Sequence, residues 1–151
     1  MRILGVDPGL GVTGYGLLEA TCHYDVRVVE AGVIRTRSGD RIGDRLRKIY
    51  DLLGGLIKEH KPDVLVLEKI YSHYKHPATA ILMGHARGVI CLLCGIYGVQ
   101  LVNYPPSRIK KAITGSGRAS KDQIQRIITE MLKLKKMPEP QEVSDAIALA
   151  M

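Results

Sequence analysis

The 151-residue chain has no tryptophan and no phenylalanine, and its only aromatic rings of this kind are seven tyrosines. Its core must therefore be built from Leu, Ile, Val and Ala, and any tyrosine left at the surface becomes a candidate for stacking on nucleic-acid bases. Cysteine is scarce too. Cys22, Cys91 and Cys94 are an odd number, which favours a reduced, cytoplasmic setting over a disulfide framework. Cys91-Leu-Leu-Cys94 has half the spacing of a zinc or redox motif, but it lies in an apolar helical pattern without a second Cys/His pair, so both thiols read as small buried hydrophobes. Low-complexity tracts and internal repeats are absent. The apolar run before Asp7 is too short for a secretory signal. The most apolar stretch, Val89 to Val102, is broken by Gly95, Gly98 and Gln100 and falls short of the ~20 residues a membrane span needs, so no membrane partner is expected.

What is present is positive charge. Lys and Arg total 22 against 15 acids, a formal charge of +7, and gathering some of those acids in one pocket would leave the remaining surface still more basic. Nucleic acid is the natural partner for such a field. Hydrophobic and charged fractions of 46% and 25% are those of a globular protein, and the length suits a single domain over residues 1–151.

The pattern predicts strands over Arg2 to Asp7, Val12 to Glu19 and Val26 to Arg35, the first two joined by the turn Pro8-Gly9-Leu10-Gly11. Ile42, Leu46, Ile49, Leu53 and Ile57 recur at helical spacing up to His60-Lys61-Pro62. Asp63 to Glu68 reads as a strand covered on both faces, Ala78 to Cys94 as a helix rich in small residues, and Val99 to Tyr104 as a fifth strand. Ser107 is expected to cap a short helical turn. Helices then follow over Lys121 to about Leu134, with Met131 inward, and from Glu142 to Met151. The order βββαβαβ with trailing helices calls for an α/β fold, a mixed sheet flanked by helices. The helical pattern is still running at Met151, so either the last helix is short or the chain is truncated there.

Four carboxylates stand where such a sheet could gather them. Asp7 and Glu68 each close an apolar run and, if the first and fourth strands pair, project at the same sheet edge. Glu142 and Asp145 lie one turn apart on a helix. Singly, each has an ordinary explanation: an Asp before Pro-Gly is common turn chemistry, and Glu142 is a first-turn acid favoured by the helix dipole. Asp145, however, precedes Ala-Ile-Ala-Leu-Ala, an apolar wall that is a costly place for an unpaired charge. A quartet of acids repels itself unless it holds a cation. Oxygen-only ligation suits Mg²⁺ or Mn²⁺, and two such ions ~3.5–4 Å apart promote in-line phosphodiester hydrolysis.

Cations flank the acids in sequence. Lys110 and Lys111, followed by Thr114-Gly115-Ser116-Gly117-Arg118-Ala119-Ser120-Lys121, surround a glycine-containing loop that opens a helix, a ready anion site, although solvated lysines are the ordinary reading. The segment after Glu68 interleaves Tyr71, His73, Tyr74, Lys75 and His76, as single-strand binders do.

Ile3-Leu-Gly-Val-Asp-Pro-Gly-Leu-Gly-Val-Thr-Gly-Tyr-Gly, Val66-Leu-Glu-Lys-Ile-Tyr, Gly84-His-Ala-Arg-Gly-Val and Ser144-Asp-Ala-Ile-Ala-Leu-Ala together resemble the RuvC family of crossover junction endodeoxyribonucleases, in order and nearly end to end. The resemblance implies an RNase H-like fold with a five-stranded mixed sheet, three strands antiparallel and two parallel. It also implies a homodimer, Mg²⁺ dependence and paired nicks in a four-way (Holliday) DNA junction, with the RuvAB branch-migration complex as partner. Asp7, Glu68 and Asp145 match the family's acidic positions; Glu142 stands where the family more often has Asp or His. Tyr71 falls at the position of a junction-centre aromatic, and Lys110 and Lys121 at those of lysines near the scissile phosphate. The helix from Ala78 to Cys94 is the candidate subunit contact. Two alternatives keep the fold, a YqgF-type nuclease acting on structured RNA and a junction binder that does not cut. A third, an actin-like kinase, needs two such domains, more than 151 residues supply.

Overall fold

The computed structural model describes residues 1–22, 25–69 and 77–151. In chain order its elements are β1 (Arg2–Asp7), β2 (Val12–Cys22), β3 (Asp25–Arg35), α1 (Ile42–His60), β4 (Val64–Glu68), α2 (Pro77–Tyr97), β5 (Gln100–Tyr104), α3 (Pro106–Thr114), α4 (Lys121–Met131) and α5 (Gln141–Ala150). The sheet order is β3-β2-β1-β4-β5. β1 pairs antiparallel with β2, and β2 with β3; β4 is parallel to both β1 and β5. This is the RNase H-like arrangement of three antiparallel and two parallel strands that the sequence implied.

The sheet carries an apolar layer on each face. Leu4, Val6, Leu17, Leu65 and Leu67 pack with Ile49, Leu53 and Ile57 of α1 and Ala86, Ile90 and Leu93 of α2. Leu18 packs on the opposite face with Ile124 and Ile128 of α4 and Val143, Ile147 and Ala150 of α5. Burial on both faces is why β4 reads as an unbroken apolar run.

Glycines decide how closely α5 lies on the sheet. A Cβ on Gly5 would stand 2.0 Å from the Ala146 carbonyl oxygen, one on Gly14 2.0 Å from that of Glu142, and one on Gly16 2.8 Å from Ile147 Cγ1. Helix backbone and strand backbone therefore meet without intervening side chains, which only glycine permits. At the start of α5, the Ser144 hydroxyl and the Gln125 amide both donate to the Pro138 carbonyl, at 2.9 and 2.7 Å, tying the linker before α5 to α4.

The structure departs from the sequence reading at several points. α2 passes through Gly95 to Tyr97 because burial of Leu93 and Cys94 outweighs a glycine's weak helix propensity, and it ends at Gly98, whose φ is +67°. Ser107 does not cap α3; Pro105 precedes it and Pro106 opens it, a residue without an N–H to satisfy. α4 stops at Met131, which is exposed rather than inward. α2 as a whole is long and apolar enough to cross a membrane by length and composition, which the interrupted stretch after Val89 concealed. Its apolar residues lie on two sides: Ala86, Ile90, Leu93 and Cys94 face the core, whereas Ile81, Leu82, Leu92 and Ile96 are exposed. Cys91 and Cys94 are free thiols, and burial pushes the Cys94 thiol up to about 11, as suits a packing residue.

Candidate active site

The hairpin from β1 to β2 sets the first carboxylate. Thr13, fully buried, donates its hydroxyl to the Gly9 carbonyl at 2.7 Å and fixes the turn, so that Asp7 ends β1 opposite Gly14. The parallel register of Val6 with Leu67 places Glu68, the last residue of β4, beside Asp7 at the same edge. Gly14 then admits the first turn of α5 directly over this edge, with the Glu142 backbone against it. Residues separated by more than 130 positions thus converge because a strand pair and a glycine contact meet at one corner.

The charges register that convergence. Burial first, and then the like charges of Asp145, Glu68 and Glu142, push the Asp7 carboxyl from 3.8 to about 6, with Lys121 offsetting part of the rise. The Glu68 carboxyl is likewise raised by burial and by Asp145, against the opposing pull of Lys121 and Lys110. Burial tends to lower the Lys121 ammonium, but its hydrogen bond to Asp145 and the charges of Asp145, Asp7 and Glu68 hold it above its ordinary value. Lys121 Nζ lies 3.0 Å from Asp145 Oδ2, a carboxylate 26% exposed.

Asp7, Glu68 and Asp145 therefore form one mutually repelling group, and Glu142 adds the weakest of the like-charge influences on Asp7. Among the described residues no three acidic, His or Cys side chains already converge on one ion position. The expected quartet is gathered but not closed. Asp145 instead accepts a hydrogen bond from the Lys121 ammonium, an opposite charge rather than another carboxylate. An oxygen-only donor set with more negative charge than Lys121 balances is the kind that takes a hard divalent cation.

Lys121 reaches the site because it opens α4. Ser120 and Gln123 form a reciprocal capping box at that end, with hydrogen bonds of 3.2 and 2.9 Å. Gly115, at φ +76°, closes α3, and the Thr114 hydroxyl donates to the Lys110 carbonyl at 2.8 Å. The connection between the two helices is thereby fixed with Lys110 and Lys121 near the acids, while Lys111 and Arg118 are exposed. Tyr71, His73, Tyr74, Lys75 and His76 lie outside the described residues.

Sequence reasoning passed over Gly5, Gly14 and Gly16, although glycine at strand positions signals close backbone approach. It also passed over Arg87, quoted within a motif but given no role. Arg87 donates from Nη1 to the Glu68 carbonyl at 2.8 Å and from Nη2 to Asn103 Oδ1. No sequence spacing marks that contact, because it joins a helix flank to the ends of two strands.

The family profile described as "Crossover junction endodeoxyribonuclease RuvC" matches residues 3–151. A protein of that name from Rhodopirellula baltica is 46% identical over 149 residues, covering 99% of this chain and 83% of the relative. One from Petrotoga mobilis is 45% identical over 150 residues, covering 99% and 91%. Among solved structures, T. thermophilus RuvC in complex with a Holliday junction substrate superposes with a TM-score of 0.94 at 25% identity, covering 99% of this chain and 90% of that one.

Proposed function

Because the chain belongs to the RuvC family of crossover junction endodeoxyribonucleases, we propose that it resolves four-way DNA junctions by metal-dependent, paired phosphodiester nicks in recombination and repair. The observation that carries the reading is Asp7, half-buried among three other carboxylates at the sheet edge with Lys121 as counter-charge. The oxygen-only donor set suits Mg²⁺, or Mn²⁺ in its place, with two ions per site: Asp7, Glu68, Asp145 and Glu142 would hold them. When bound, such ions supply an activated water and stabilise the leaving oxygen.

The chain's own residues do the rest. The β1–β4 register presents Asp7 and Glu68 side by side at one sheet edge. Lys121, on a capped helix end, is placed to give up its pairing with Asp145 and take a non-bridging phosphate oxygen, stabilising charge as it develops. Lys110, on the preceding helix, holds the backbone beside it, and the exposed Arg118 extends that contact. Tyr71 is proposed to engage the junction on the sequence resemblance, Lys75 on the interleaving of rings and cations after Glu68, and RuvAB is proposed as partner on the resemblance.

Two strands of a junction are cut symmetrically if two sites are related by a twofold axis. We propose that α2 supplies that axis. Its exposed apolar stripe includes Ile81, Leu92 and Ile96 at 61%, 56% and 51% exposure, and Ile81, Gly84, His85, Gly88, Val89 and Leu92 line a shallow hollow of about 430 Å³. The setting proposed is the cytoplasm, where Cys91 and Cys94 stay reduced.

The test is cleavage of a synthetic four-way DNA junction with and without Mg²⁺, beside a structured RNA of equal length. Paired nicks in the DNA that require Mg²⁺ and vanish in Asp7→Asn, with junction binding retained, are expected. Cutting of the RNA alone would transfer the reading to the RNA-processing alternative, and junction binding without cutting would leave a non-catalytic binder.

A further inference from the structure

Glu68 carries a carboxylate of the site, yet its backbone is only partly held by the sheet. On the β1 side the parallel ladder ends one residue earlier, at Val6 with Leu67. On the β5 side Glu68 is paired with Tyr104, and the Lys69 N–H donates to the Tyr104 carbonyl at 2.8 Å. The remaining hold comes from α2, where the half-buried Arg87 donates from Nη1 to the Glu68 carbonyl oxygen at 2.8 Å and from Nη2 to the Asn103 side chain. A planar guanidinium can engage two acceptors at once, and here it ties the ends of β4 and β5 to the helix that covers them.

Arg87 makes no ion pair among the described residues. Its charge rests on two neutral oxygens, the Glu68 carbonyl and the Asn103 side-chain oxygen. Among the described residues Lys110 and Lys121 are the cations that bear on the Glu68 carboxylate, whereas the guanidinium bonds to the main chain of Glu68.

We propose that Arg87 is a positioning residue for metal-dependent cleavage, fixing the end of β4 so that the Glu68 carboxylate is presented to the ion. This rests on the metal-nuclease reading above. Partners that orient a ligand from behind typically account for about 10–100-fold in metal affinity or activity.

The test compares wild type with Arg87→Ala, Arg87→Lys and Asn103→Ala in the full chain. Mn²⁺ binding to the metal-free protein is measured by calorimetry, Lys69 amide exchange without metal, junction affinity in EDTA, and single-turnover cutting across Mg²⁺ concentration. Arg87→Ala is expected to weaken Mn²⁺ binding and raise the Mg²⁺ midpoint by about 10-fold or more, speed exchange at Lys69, and leave junction affinity within about twofold. Arg87→Lys, able to reach one acceptor, should recover part of the loss, and Asn103→Ala should shift the midpoint in the same direction by less. Unchanged Mn²⁺ affinity in Arg87→Ala overturns the proposal, as does a fall in junction affinity matching the fall in cutting, which would make Arg87 a DNA contact. If Arg87→Ala does not fold, Arg87→Lys and Asn103→Ala decide on the same criteria. A wild type that binds no Mn²⁺ and cuts nothing in Mg²⁺ would instead sink the nuclease reading itself, and this proposal with it.

Discussion

Asp7→Asn should make the metal-free protein more stable while abolishing its activity. The Asp7 carboxyl titrates at about 6 in the fold against 3.8 as an ordinary side chain, raised by burial and by its acidic neighbours. Because the folded chain holds this proton more tightly than the unfolded one, ionised Asp7 destabilises the fold. The penalty begins as pH rises past 3.8 and is complete above about 6. At ~1.36 kcal/mol per pH unit it reaches ~3 kcal/mol at pH 8. Asparagine has nearly the same shape and no charge to lose, so it escapes the penalty. For a chain of this size ~3 kcal/mol corresponds to roughly 6–12 °C in Tm. Thermal denaturation in EDTA should therefore show Asp7→Asn melting above wild type at pH 8, with the gap closing near pH 4. Saturating Mg²⁺ should stabilise wild type selectively and narrow the gap, since only the intact site gains from the ion. Equal or lower melting of Asp7→Asn at pH 8 in EDTA would refute the claim that these acids repel one another in the folded state.

The same arrangement yields further expectations. The Mg²⁺ needed for half-maximal cutting should rise as pH falls through about 6, where protons begin to occupy Asp7; a midpoint constant from pH 5 to 8 would contradict this. Lys121→Ala should reduce single-turnover cutting by about 10²-fold with a smaller change in junction affinity, and comparable losses in both would assign Lys121 to binding alone. Gly14→Ala places a methyl group 2.0 Å from the Glu142 carbonyl, and denaturant unfolding should show a loss of about 1–3 kcal/mol with impaired cutting. Leu92→Glu, on the exposed face of α2, should yield monomers in sedimentation and uncouple the paired nicks; an unchanged mass would move the subunit contact elsewhere.

Strand alternation, the helical spacing in α1 and the turn at Pro8-Gly9 are local patterns, and they announced the element order without any coordinates. The acids at the ends of β1 and β4 were legible for a related reason: a carboxylate that closes an apolar run marks where a strand leaves the core. The run of α2 on to Tyr97 was not legible, because burial of Leu93 and Cys94 overrode the local propensity of Gly95 there.

Residue identity alone settled which chemistry this chain can attempt: carboxylates in excess at motif positions, cations nearby, and a basic surface around them. Tertiary structure alone decided how those groups meet. It turned Asp145 toward Lys121, seated α5 on glycines, and gave Arg87 the main chain of Glu68 to hold. The division is physical: a motif fixes donors and charges, whereas distance, burial and the competition among like charges exist only after separate elements have packed together.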